Sequence, residues 1–462
     1  MIPNIYYHRR RGDLGVLAEV ELSQPRVAET VELLQALIRN RCVNTGERSA
    51  GHEVRNADVL AQFLGSTVDT QVYDAAPGRR SLVARIEGSD PAAPSLGLLA
   101  HTDVVPADDQ DWLRDPFGGE LVDGAVWGRG AIDMLNMTAC MAAAMRTLGA
   151  TGFRPRGDIV FVAAADEEAR AEFGARYLLE RHRDDVLTDY VLTEGGGWPL
   201  TAGPRPKLSW ATADKGTAWL RLRVRGRAGH AAMPYGADNA LVKAAEVVRR
   251  LHTHRVSPVI SDVWRGWVAG MGFDAEVAAG LLDERSVLSV AREQTGDVAA
   301  AAHACTHLTI TPTMARGGVA INAIPECVEI DVDARTLPGQ TRGEVASEIR
   351  NALGELDPEV TIEWLHELST TQSPLSTPVF DTVKDVTRAI VPGTELVPSL
   401  ITASTDAEYF RRHGAKAYGF SITTDYVSPT EFAAMFHGPN ERIDVRSLAL
   451  STTLWERLAR SF

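Results

Sequence analysis

The chain has 462 residues, 45% of them hydrophobic and 23% charged. That is the balance of a soluble globular protein, and the length exceeds one ordinary core, so two domains are expected. The net charge of −14 (47 Lys+Arg against 61 Asp+Glu) argues against nucleic acid or an anionic membrane as the main partner.

The N-terminal stretch MIPNIYYHRRRGDL lacks the apolar core of a signal peptide. No run approaches the roughly 20 apolar residues of a spanning helix. Cys42, Cys140, Cys305 and Cys327 form no CxxC pair and read as thiols of a reducing compartment. A cytoplasmic location is the expectation.

Residues 26–39 place Val27, Val31, Leu34, Leu37 and Ile38 at helical spacing, and a second helix is predicted at about 51–65. Strands and helices then alternate to about residue 199, the rhythm of a parallel sheet covered on both faces. Near residues 204–206 the pattern changes. Residues 218–225 alternate apolar and charged, as a half-solvated antiparallel strand does. A helix at 239–251, strands at 307–313 and 327–334, a helix at 342–353 and a strand at 360–365 complete a split βαβ pattern. Residues 252–304 exceed what that module needs and read as an extra helical insertion. The α/β pattern resumes with a helix at 379–390, a strand at 416–421 and a helix at 444–458. The expected domains are 1–207 and 370–462 together, with 208–369 inserted.

Three apolar runs of the first domain end on metal-ligand residues. Residues 95–100 lead into His101-Thr102-Asp103, residues 158–165 into Asp166-Glu167-Glu168, and residues 190–193 into Glu194 and three glycines. Functional groups of open α/β sheets gather beyond the carboxyl ends of the strands. A histidine and several carboxylates there are costly to bury unless a divalent metal, or a pair, neutralises them. Histidine and carboxylate without cysteine suit catalytic zinc, with manganese or cobalt as substitutes. Two ions ~3.5–4 Å apart share a bridging carboxylate, and Asp133 after the glycine-rich turn 127–132 is a candidate. Asp103, two residues beyond His101 on an extended chain, could hold the second imidazole nitrogen. Adjacent Glu167 and Glu168 point to different sides, so one can bind metal while the other faces a water. His437 sits in a late turn, Phe436-His437-Gly438-Pro439-Asn440-Glu441. His182, His252, His254, His303, His307, His366 and His413 stand outside any motif and read as structural or exposed.

Taken jointly, these motifs resemble the dinuclear zinc amidohydrolase family of aminoacylase, carboxypeptidase G, carboxypeptidase S and succinyl-diaminopimelate desuccinylase. The resemblance spans nearly the whole chain. It implies a zinc-peptidase-like three-layer α/β catalytic domain with an inserted α+β, ferredoxin-like lid and dimerisation domain. It implies two Zn2+ per chain. His101 and Glu194 would bind one ion, Glu168 and His437 the other, and Asp133 both. Glu167 would be the general base and Asp103 would orient His101. His230, in Gly229-His230-Ala231-Ala232, would stabilise the oxyanion, while Asn322 and Arg335 would bind substrate. The implied reaction is hydrolysis of an amide beside a free carboxylate, in an N-acyl amino acid or a short peptide, by a homodimer. Alternatives are a dipeptidase, an N-carbamoyl or amidine hydrolase of the same fold, or a binding protein that kept the scaffold. The chain departs from the family pattern at Met134-Leu135-Asn136, where a lysine or glycine is usual. Glu408 stands where arginine is usual, which leaves the substrate open: a negative group there could repel a carboxylate or favour a basic group.

Overall fold

The computed structural model describes residues 25–108, 110–200, 205–368 and 370–462, so the N-terminal stretch lies outside the described residues. The chain divides into two compact units, 1–212 with 373–398 and 405–462, and 213–372 with 399–404.

The first unit is built on an eight-stranded sheet. Its order is Asp69–Ala76, Arg79–Ile86, Ile159–Ala164, Leu96–His101, Tyr190–Thr193, Lys416–Gly419, Lys207–Asp214 and Glu395–Ile401. The four middle strands are parallel. Leu96–His101, Ile159–Ala164 and Tyr190–Thr193 are buried at every residue, as strands covered on both faces must be. Leu98, Ala100, Phe161 and Leu192 face the helices Pro25–Arg39, Leu135–Ala150, Pro378–Ile390 and Val445–Ser461. Leu99, Val160, Val162 and Val191 face Ala175–Arg181 and Ala407–Arg412. The result is three layers. The Met/Ala run from Met134 to Met145 is core on nearly every side of its helix.

The sheet is mixed rather than purely parallel. Asp69–Ala76 and Arg79–Ile86 form an antiparallel hairpin that joins the Ile159–Ala164 edge, and Lys207–Asp214 runs antiparallel to Lys416–Gly419. Neither carries an apolar run. The first is exposed at half of Asp69–Ala76, and the second buries Lys207, Ser209, Thr212 and Asp214 among its apolar residues. Because Lys207–Asp214 belongs to the large sheet, the second unit starts later than residue 208.

A small sheet pairs Glu120–Val122 with Ala125–Trp127, and Ala125–Trp127 with Arg442–Asp444. It ties the glycine-rich turn before Asp133 to the loop that carries His437.

The second unit has a four-stranded antiparallel sheet ordered Thr309–Gly317, Cys327–Thr336, Gly216–Arg225, Val360–Leu368. Helices Ala240–Thr253 and Arg342–Leu353 complete the split βαβ connectivity. Leu220, Leu222 and Val224 enter the helix-covered core, while Arg221 and Arg223 pair with Asp331 and Glu363 on the open face. Residues 252–304 form helices Asp262–Met271, Ala275–Leu281 and Val287–Gln294 and most of Gly296–Thr306. They own a separate core around Trp264, Val268, Leu281, Val287, Ala291 and Ala302. Ser261, Asp274 and Thr295 cap three of these helices. All four cysteines are free. No helix among the described residues is long and apolar enough to cross a membrane.

The glycines after Glu194 have a packing reason. A Cβ on Gly196 would lie 2.0 Å from the Gly419 carbonyl oxygen, and one on Gly197, at φ +80°, only 1.7 Å from that of Ser421. Two backbones meet there with no room for a side chain. Gly197→Ala should therefore cost at least about 2 kcal/mol in urea unfolding. Gly46→Ala, at φ +79° with nothing within 4 Å, should cost only about 1 kcal/mol. Equal losses would contradict the close approach.

Candidate active site

His101 ends its strand with Nδ1 2.9 Å from the Asp103 main-chain carbonyl. A carbonyl only accepts, so Nδ1 carries the proton and Nε2 offers a lone pair. That Nε2 lies 3.4 Å from Asp133 Oδ1, 3.7 Å from Glu194 Oε1 and 3.9 Å from Glu167 Oε2. Asp133 Oδ2 lies 3.3 Å from His437 Nε2, which is 3.2 Å from Glu168 Oε2. Two ligand groups result, His101-Asp133-Glu194 and Asp133-Glu168-His437. Within each, the ligand atoms lie within 4.8 Å of one another. Asp133 is common to both.

The electrostatics of the cluster call for a cation. Burial pushes Glu167 well above the ordinary carboxyl range, and the Glu194 carboxylate adds to the shift. Burial and Asp133 push Glu194 well above that range too and raise Glu168. Burial also pushes Asp133 upward, but His101 and His437 outweigh it and hold this carboxyl low. His437 is raised to about 10 by Asp133 and Glu168. Two buried atoms, His101 Nε2 and Glu168 Oε1, have no hydrogen-bond partner. Such orphans cost about 1–3 kcal/mol each. Two imidazoles and three carboxylates around them form a donor set that fits borderline divalent ions.

Asp103 acts differently from the expectation. Its Oδ1 is 3.6 Å from His101 Nδ1, beyond hydrogen-bond reach. The chain has left the extended strand by Thr102, so the carbonyl of Asp103, not its carboxylate, meets the ring. The carboxylate instead accepts the N–H groups of Glu167 and Glu168, both at 3.1 Å, and Asn44 Nδ2 at 2.8 Å. It fixes the turn that presents the glutamate pair.

Several supporting residues escaped the sequence reading. Arg79 donates to both Glu53 oxygens, at 2.8 and 2.7 Å, and to Asp166 Oδ1 at 2.8 Å. Burial nevertheless pushes Glu53 to about 7. Asn44 Nδ2 also reaches Asp166 Oδ1 at 2.9 Å. Glu441 Oε1 accepts the N–H groups of Ile132 and Asp133 at 2.7 and 3.1 Å, while Oε2 takes Arg129 Nη1 at 2.8 Å. Arg129 also donates to the carbonyls of Gly438 and His437 at 3.1 and 3.3 Å. This buried pair clamps the Asp133 turn to the His437 loop. Arg129 and Glu441 flank the ligand motifs, so spacing could have found them. Asn44, Glu53 and Arg79 gave no local signal. Asp406 is a further buried carboxyl, raised to about 8 chiefly by burial.

Glu408 is taken up inside the fold. Its side chain is fully buried, and Oε1 accepts Arg412 Nε and Nη2 at 2.8 and 2.6 Å. It presents no free negative charge.

In the second unit, Gly229–His230 pairs with Ala323–Ile324, and Ala231 N donates to the Asn322 carbonyl at 2.9 Å. His230 and Asn322 are therefore neighbours, both exposed. His230 Nδ1 accepts the Ala232 N–H at 3.1 Å, which leaves Nε2 as the protonated donor. Arg335 is already engaged. Its guanidinium is bidentate on Asp333, at 2.8 and 3.1 Å, and donates to Thr217 Oγ1 at 2.9 Å.

Comparison with known proteins agrees with this arrangement. Residues 97–461 match the peptidase family M20/M25/M40. The N-fatty-acyl-amino acid synthase/hydrolase PM20D1 of Xenopus tropicalis is 24% identical over 96% of this chain and 87% of its own. Among solved structures, an M20 family metallo-carboxypeptidase of Sulfolobus solfataricus superposes with a TM-score of 0.71 at 14% identity, covering 95% of this chain and 99% of that one. A dinuclear metal binding M20 peptidase of Bacillus subtilis gives a TM-score of 0.59 at 14% identity, covering 94% and 98%. The chain therefore belongs to peptidase family M20/M25/M40 and is a metal-binding hydrolase of amide bonds.

Proposed function

We propose that this chain is a cytoplasmic, zinc-dependent deacylase that splits N-acyl amino acids into a carboxylate and a free amino acid. The observation that carries the reading is the pair of ligand groups sharing Asp133, with Glu167 beside them and two buried ligand atoms unpartnered. The similarity to a hydrolase of N-fatty-acyl amino acids along almost the whole chain supports the substrate class.

His101, Glu194 and Asp133 would hold one zinc, and Asp133, Glu168 and His437 the other. When bound, the ions supply polarisation of the scissile carbonyl and a lowered pKa for water. Positive charge there would also offset the burial and carboxylate repulsion that raise Glu167, so Glu167 can serve as a base. Glu167 removes the proton of the attacking water as the C–O bond forms. It then passes that proton to the leaving nitrogen as the C–N bond breaks. His230, with its donor on Nε2, is assigned to the developing oxyanion. Asn322 is assigned to substrate through its place beside His230. Arg335 is assigned to the substrate carboxylate, which would share the guanidinium with Asp333. A homodimer formed through the second unit is part of this reading.

Glu167→Gln should retain bound zinc and lose at least about a thousandfold in turnover. Turnover within tenfold of the parent would remove Glu167 from the base role. Arg129→Met should weaken metal affinity by about 10–100-fold, since the clamp on Asp133 and His437 is lost. Unaltered affinity in a metal-competition titration would show the clamp to be dispensable. Amine release should be faster from N-acyl amino acids than from dipeptides or N-carbamoyl amino acids. The opposite ranking would assign the chain to the dipeptidases or carbamoyl hydrolases of the fold.

A further inference from the structure

The insertion that the split βαβ module does not need builds a cavity of its own. Its volume is about 810 Å³, within the range of small-molecule sites. It is lined by the end of helix Ala240–Thr253, the segment after it, the insertion's helices Val287–Gln294 and Gly296–Thr306, and the start of strand Thr309–Gly317. Lys215 ties the two parts together. Its Nζ donates to the carbonyls of Ala304 and His307 at 2.9 and 2.8 Å.

Charge is segregated at this cavity. Between residues 252 and 304 there are four arginines (255, 265, 285, 292) against seven acids (262, 274, 276, 283, 284, 293, 297). Three of those arginines line the cavity, but only one of the acids, Glu284. Arg285 is bidentate on Asp283, and His254 meets Glu348. Arg255 and Arg292 have no carboxylate partner among the described residues. His303 stacks on His307 with ring centroids 5.0 Å apart. Burial, then Lys215, Arg255 and Arg292, all lower the pKa of His303. Those three cations act on this ring with no opposing carboxylate. In a chain of net charge −14, a concave site with unpaired guanidinium groups is an electrostatic exception.

We infer that this cavity of the second unit binds a small organic polyanion, a molecule with at least two carboxylate, sulfonate or phosphate groups, through Arg255 and Arg292. Planar guanidinium forks recognise such groups bidentately, and neutral imidazoles at His303 and His307 supply further donors. None of these residues belongs to the proposed metal or substrate set, so the inference stands or falls apart from the proposed reaction.

The test is calorimetric titration of the zinc-loaded full chain with benzene-1,3-disulfonate, a dianion that does not chelate metal. Saturable binding of one equivalent is expected, weaker for benzenesulfonate and weaker in added sodium chloride. Arg255→Gln with Arg292→Gln should weaken it at least tenfold with an unchanged melting temperature, because both side chains are exposed and unpartnered. Glu284→Gln, which removes the only lining carboxylate, should tighten it. No saturable binding, or the same affinity in both variants, would overturn the inference.

Discussion

The arrangement of this enzyme rests on one constraint: several carboxylates crowd into a nearly dry site at the end of a parallel sheet. Two like charges 4 Å apart repel by about 4 kcal/mol at the effective dielectric typical of proteins. Asp133, Glu167, Glu168 and Glu194 all converge on His101 or His437, and no lysine or arginine among the described residues pairs with them. The fold meets this in two stages. Fixed donors absorb the outer acids: Arg79 takes Glu53 and Asp166, Arg129 takes Glu441, and backbone N–H groups with Asn44 take Asp103. On the proposed reading, the inner acids are left for divalent cations. An ion bound there is therefore part of the folding balance as well as of the chemistry.

That division of labour explains which parts could be read from the sequence. Of the proposed ligands, His101, Glu168 and Glu194 stand at or just beyond the ends of short apolar runs and Asp133 follows a glycine turn, so these four were marked locally, whereas His437 sits in a turn after the helix Pro429–Met435. The outer supports come from distant segments. Arg79 sits in a hairpin whose partner strand is exposed at half its residues, and Asn44 and Glu53 lie in loops around the second helix. No periodicity marks such residues, because their roles are set by tertiary placement. The Asp103 expectation failed for a related reason. The i to i+2 argument holds only while the chain is extended, and the strand ends at His101. The effect of Glu408 was open in the sequence because a substitution relative to a family pattern says nothing of its new neighbour; Arg412, one turn later, neutralises it.

Fold class was legible from alternating patterns, since buried parallel strands and half-solvated antiparallel ones differ in sequence period. The mixed edges of the large sheet were not, because the strands Asp69–Ala76, Arg79–Ile86 and Lys207–Asp214 mix polar with apolar residues instead of forming one apolar run. The helical insertion was visible only as surplus length. Its cavity, with cations collected on one lining, is a property no linear reading gives, and four of the histidines set aside as structural or exposed, His252, His254, His303 and His307, line it.

The most direct measurement is the metal content of the full chain after dialysis against buffered zinc, read by plasma mass spectrometry. Two equivalents per chain are expected, falling to one or none in Asp133→Ala, because both ligand groups lose their common carboxylate. A parent chain that retains no zinc, or an Asp133→Ala chain that still retains two, would contradict the shared, cation-dependent centre.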